Sequence, residues 1–131
     1  METGIKTGKK PDMTRAKIEA LIEDTYHVKP EYLWKKFPDY AVYRHPENRK
    51  WFALLMNPTW EELHLPGERT TEILELKVPE ELRKEYEGKP GILPAYHMNK
   101  ENWLRVLADG TVSKETVETL LKASFEATLK D

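Results

Sequence analysis

Residues 90–103, PGILPAYHMNKENW, set the reading of this chain, because in fourteen residues they exclude one kind of backbone and gather the most varied side-chain chemistry in the sequence. Pro90-Gly91 and Pro94 forbid a continuous helix, and residues that precede proline are pushed towards extended conformations. If Ala95 to Met98 is extended, Tyr96 and Met98 share one face and His97 points to the other. Asn99 is suited to cap a short helical turn over residues 100–102, which brings Trp103 in at the start of the next strand. His97, Asn99 and Lys100 then form a polar cluster beside the sheet.

Working outward, Trp103 to Ala108 reads as a strand and Asp109-Gly110 as a turn. Ser113 caps a last helix whose apolar stripe is Val117, Leu120, Leu121, Phe125 and Leu129, with Val112 stapled against Val117. Upstream, Ile73 to Val78 alternates, with Leu74, Leu76 and Val78 on one face and Glu75 and Lys77 on the other. Pro79-Glu80-Glu81 opens a helix that Gly88 closes. Tyr40–His45 and Lys50–Asn57 read as a hairpin joined by the polar segment 46–49. The connection 57–72 is long and irregular, with a capping-box pattern at Thr59 to Glu62 and a turn at Pro66-Gly67. Near the start, Ile18, Leu21, Ile22 and Tyr26 recur at helical spacing after Thr14, Met13 is placed to staple against Ile18, and Pro30 ends the helix at the latest. Residues 1–12 have no apolar face and read as a flexible tail, leaving 13–131 as a single compact α+β domain: an antiparallel sheet with N- and C-terminal helices.

The order of these motifs resembles one family. Pro94-Ala95-Tyr96-His97-Met98-Asn99-Lys100, then Trp103 and Asp109-Gly110, is similar to the MmcQ/YjbR family of small bacterial proteins. Arg44-His45-Pro46 with Arg49-Lys50-Trp51-Phe52-Ala53 resembles its first hairpin, Ile73 to Lys77 its next strand, and Ser124-Phe125 its last helix, so the likeness runs from about Ile18 to Leu129. It implies a CyaY-like, frataxin-type scaffold of the kind described as a double-wing DNA-binding architecture, with the hairpin as one wing. One departure stands out: the family pattern leads one to expect a capping aspartate before Pro79, and this chain has Val78, which cannot cap.

Composition narrows the functions. With 131 residues the chain is long enough to bury about two-thirds of its unfolded surface. No apolar run approaches the ~20 residues needed to cross a bilayer. Neither a secretory leader nor a cysteine is present, so a cytoplasmic protein without disulfides is expected. A net charge of −2 means that nucleic-acid binding has to come from a local basic patch. Cysteine catalysis is excluded, and no Gly-x-Ser-x-Gly elbow, phosphate-cradling glycine loop or His-Glu-x-x-His spacing occurs. His27, His45, His64 and His97 are far apart, so the expectation is no catalytic residue, no metal and no cofactor.

The candidates that remain are binding residues. Arg44, His45, Arg49 and Lys50 flank the hairpin tip. Arg44, Arg49 and Lys50 there, with Lys77, His97, Asn99 and Lys100, are the residue types that contact phosphates or hold a polar ligand. Trp34 and Trp60 are candidates for stacking on an unpaired base, although residues such as Trp34 and Phe37 more often anchor a loop onto the core. The first expectation is a non-enzymatic DNA-binding module; the alternative is a protein-interaction or small-ligand domain using the same face. Converging basic groups on one exposed face favour the first, and a concave apolar pocket favours a small ligand.

Overall fold

A computed structural model describes residues 13–59, 61, 66–67, 69–94 and 103–130. In chain order they form α1 (Arg15–Tyr26), β1 (Ala41–Arg44), β2 (Trp51–Met56), β3 (Ile73–Lys77), α2 (Glu80–Tyr86), β4 (Ile92–Pro94), β5 (Trp103–Leu107) and α3 (Lys114–Lys130). The strands build one sheet in the order β1-β2-β3-β5-β4, with every neighbouring pair antiparallel. The expected α+β architecture with an antiparallel sheet and helices near both ends is what forms.

Alternation along each strand divides the side chains between two faces. The inner face carries Ala41, Tyr43, Leu55, Leu74, Leu76, Leu104 and Val106. It packs against Ile18 and Ile22 of α1 and Val117, Leu120 and Leu121 of α3 in one continuous core. The outer face carries a second buried group, Val42, Leu54, Met56 and Ile73, against which Trp34, Tyr40, Trp51 and Leu107 pack. A bulge in β2 sets which residues go where. Tyr43 pairs with Ala53 but Arg44 pairs with Trp51, so Phe52 has no partner across the hairpin. Phe52 and Ala53 therefore both face the core, and Trp51 and Leu54 both face outward.

Helix ends follow the local chemistry in part. Met13 is buried with Ile18 in the core as the staple requires, while Thr14 occupies the cap position without a side-chain bond. α1 stops at His27, which adopts a left-handed φ of 58°, three residues before Pro30. α2 has Pro79 at its cap position and no side-chain cap, in keeping with Val78 standing where a capping residue is expected. In α3 the Ser113 hydroxyl accepts the N–H of Thr116 at 3.3 Å. Leu129 does not continue the apolar stripe: it is 40% exposed, because the buried line runs through Ser124 and Thr128 and turns Leu129 about 100° away from it. The polar pair does structural work. Ser124 donates to the carbonyl of Phe52 (2.6 Å) and accepts the N–H of Lys77 (3.0 Å), tying α3 to β2 and β3.

β4 is an addition to the expected strands. Three residues ending in Pro94 carry no alternation to mark them, and a proline is tolerated there because β4 lies at the sheet edge.

Candidate functional site

The hairpin tip brings Arg44 and Arg49 together on one carboxylate. Glu31 is held at the edge of β1 by paired backbone bonds with Val42, each 2.9 Å. Its Oε1 accepts from Arg44 Nε at 3.2 Å and its Oε2 from Arg49 Nη2 at 3.5 Å. Arg44 also donates to the carbonyl of Arg49 (3.3 Å) and lies 5.8 Å over the Trp51 ring. Much of the charge expected to meet phosphate is thus opposed by Glu31. Lys50 is exposed at the tip, where its N–H donates to Asn48 Oδ1 at 2.9 Å.

His45 does not belong to this basic surface, contrary to the sequence expectation. It is fully buried against Phe52 and Phe125. The Thr128 hydroxyl donates to the carbonyl of Ser124 at 2.7 Å and so accepts from His45 Nε2 at 2.6 Å, which puts a proton on Nε2. Burial holds its pKa below the ordinary histidine value. Asn48 adds bonds to the carbonyls of Thr128 (3.0 Å) and Leu129 (3.3 Å), so the hairpin tip is clamped to the end of α3. The strand parity of His45 and the helical line from Val117 to Thr128 were the available signals for this contact.

Lys77 stands on the outer face at the end of β3, paired with Trp103 across β5. Arg44 pairs with Trp51 across β1 and β2, and Lys77 with Trp103 across β3 and β5, two cation–indole pairs at the same end of the sheet. His97, Asn99, Lys100 and Trp60 lie outside the described residues, as do the expected turn over residues 100–102 and the tail, 1–12.

Trp34 is not a free stacking platform but part of an aromatic corner. Its ring stands at 87° to Trp51 (centroids 5.8 Å apart) and at 74° to Tyr40 (6.0 Å), and Phe37 stacks on Tyr40 at 4.7 Å. These four rings wall a pocket of about 250 Å³ on the outer face of the sheet. Leu54 and Met56 complete its apolar lining, and Glu75 is the one carboxylate in it among the described residues. Phe37 keeps 40% of its surface exposed, so the anchoring expected of it is partial.

Glu75 is the functional-site residue that the sequence reading missed. Alternation puts it on the outer face as expected, yet its side chain and that of Arg105 are each only 1% exposed. They sit opposite each other on β3 and β5, with Arg105 Nε donating to Glu75 Oε1 at 2.7 Å. A same-row acid and base on strands that turn out to be neighbours could have been found only after the sheet order was known. Among the described residues no group of three or more histidine, cysteine or acidic side chains is arranged to hold a metal, and no helix is long and apolar enough to cross a membrane.

Comparison with known proteins places this geometry among relatives. The family model described as YjbR matches residues 23–127. The uncharacterized protein YyaQ of Bacillus subtilis (strain 168) is 37% identical over 116 residues, covering 88% of this chain and 98% of that one. A crystal structure of a Pseudomonas syringae protein is 42% identical with a TM-score of 0.83, covering 88% of this chain and 99% of its own. A solution NMR structure from the same organism, also 42% identical, gives 0.78 over 88% of this chain and 93% of its own.

Proposed function

The chain belongs to the YjbR family, and for this member we propose a non-enzymatic binding module whose site is the aromatic pocket on the outer face of the sheet. The observation that carries the proposal is the pocket itself: a concave space of about 250 Å³ walled by Trp34, Phe37, Tyr40 and Trp51, with one carboxylate in its lining. Small-ligand sites have this composition, mostly aromatic and aliphatic with few polar groups. A half-exposed Phe37 beside a half-buried Trp34 offers apolar surface that a ligand would cover. The site calls for no nucleophile and no cofactor.

The test is a titration of the full chain with indole, a neutral aromatic probe, followed through the indole N–H resonances of Trp34 and Trp51. Saturable shifts at these two residues, lost in a Trp34→Leu variant, support the pocket. Shifts spread evenly over all four tryptophans, or none, count against it.

A second reading is nucleic acid, as the double-wing likeness suggests, and the cation–indole pairs Arg44–Trp51 and Lys77–Trp103 favour it. Aromatic rings displayed on a sheet and interleaved with cations suit an unpaired strand, whose bases stack while phosphates meet the cations. The acidic net charge and the engagement of Arg44 and Arg49 by Glu31 reduce the field available. Fluorescence anisotropy with labelled single-stranded and duplex oligonucleotides at two salt concentrations decides it. About four phosphate contacts give a log-log salt slope near −2.8 on a single strand and near −3.6 on a duplex. Lys50→Ala and Lys77→Ala should flatten the slope; no binding to either at low salt removes the reading.

A further inference from the structure

We propose that the aromatic pocket recognises a methylated ammonium group of a small organic cation; the proposal rests on the pocket being a ligand site and names its ligand class. Three observations converge on it.

The first is the charge inside the pocket. Among the described residues Glu75 is the single carboxylate of the lining, and no lysine, arginine or histidine joins it. Its partner Arg105 lies on β5, on the far side of β3 from the β1-β2 hairpin that supplies Trp51, Leu54 and Met56. The buried pair therefore presents its negative end to the pocket and its positive end away from it. Lys35 and Lys36, next to Trp34, are exposed and act through water, where screening weakens them. A bound anion would have to sit against the Glu75 carboxylate.

The second is the arrangement of rings. Trp34 stands nearly perpendicular to both Trp51 and Tyr40, and Phe37 extends the Tyr40 wall. Aromatic faces are the negative parts of the ring quadrupole, and several of them around one space attract a cation. Trp51 already shows this behaviour, with the Arg44 guanidinium 5.8 Å over its ring.

The third is the scarcity of acceptors. A primary ammonium carries three N–H donors that all need partners when desolvated. Among the described lining residues the oxygen acceptors on side chains are the Glu75 carboxylate, already shared with Arg105, and the Tyr40 hydroxyl, too few for three donors. A tri- or tetramethylated ammonium has few or no donors to satisfy, and its methyl groups match the apolar lining.

The experiment compares choline with its uncharged isostere 3,3-dimethyl-1-butanol, and with benzoate as a flat anion, by titrating the full chain at constant ionic strength while following the Trp34 and Trp51 indole N–H resonances. Choline is expected to give saturable shifts at these residues with affinity about tenfold above the isostere, in line with a partly desolvated cation–π contact. Trp34→Leu, and separately Glu75→Gln, should each lower choline affinity about tenfold while leaving the isostere within about twofold in the Glu75 variant. Equal binding of choline and the isostere, or preference for benzoate, overturns the cation assignment while leaving the pocket as a ligand site. No saturable shift with any of the three overturns both. The wild-type comparison stands by itself should either variant fold poorly.

Discussion

Replacing Arg105 with methionine tests the energetics of the outer face most directly. The side chains of Glu75 and Arg105 are each about 1% exposed and share a 2.7 Å bond, so removing the guanidinium leaves a carboxylate in a desolvated site without its counter-ion. Breaking one partner of such a pair costs about 3–5 kcal/mol, a large part of the roughly 5–15 kcal/mol that holds a domain folded. With a urea dependence of about 2 kcal/mol per molar, the unfolding midpoint should fall by about 1.5–2.5 M. Removing both charges is a different perturbation, because no ion is left behind. A Glu75→Leu/Arg105→Met double variant should lie within about 1–2 kcal/mol of the parent, on either side of it. Urea unfolding of the parent, the two single variants and the double variant, followed by tryptophan fluorescence, gives the coupling. A loss below about 1 kcal/mol in Arg105→Met, or a double variant as unstable as the sum of the singles, would refute the reading of a dry, mutually dependent pair.

Three further outcomes are expected. Ser124→Ala should cost about 1–3 kcal/mol in urea unfolding, since it strands both the Phe52 carbonyl and the Lys77 N–H; a smaller loss means that water replaces the hydroxyl. His45 titrates below its ordinary value because burial disfavours the imidazolium, so the unfolded chain takes up its proton first as pH falls. Its contribution to stability is therefore full above about pH 7 and declines as pH drops through about 6.5 towards the depressed folded value. Urea midpoints from pH 5 to 8 should show that slope in the parent and a shallower one in His45→Gln. Gly91 has a φ of +84°, and a Cβ there would collide with Val112 Cγ2. Gly91→Ala should destabilise by more than the ~1 kcal/mol of backbone strain alone, whereas Gly88→Ala, at φ +90° with open space around it, meets the strain without the clash.

How much of this was legible beforehand depends on whether local pattern or long-range pairing carried the information. The Ile73–Lys77 alternation, the Met13 and Val112 staples and the Ser113 cap are local, and each appeared where spacing indicated. β4 was invisible because three residues ending in proline have no period to read. His45 looked like part of a basic tip because its sequence neighbours are charged, while strand parity sent it inward to Thr128, 83 positions away. The candidate site was legible in its parts but not as a whole. Trp34 and the hairpin arginines were evident as residue types, yet their mutual engagement through Glu31 and Trp51 depends on a loop lying along the β1 edge. Glu75 reads in the sequence as one of the polar residues of an alternating strand, and only its neighbour on β5 makes it a buried ion.

The unpaired residue at Phe52 acts as a phase shifter for the hairpin. On the side nearer Met56, side chains keep one in-and-out rhythm with the core; beyond it, towards the tip, the rhythm is advanced by half a period. Deleting Phe52 would make the rhythm uninterrupted and leave Trp51 facing outward opposite Arg44, because the residue removed is the one without a partner across the hairpin. The ring corner would keep its place while His45 and Phe125 lost the ring packed against both of them, so the bulge adds a second inward side chain to the hairpin without moving Trp51 off the outer face.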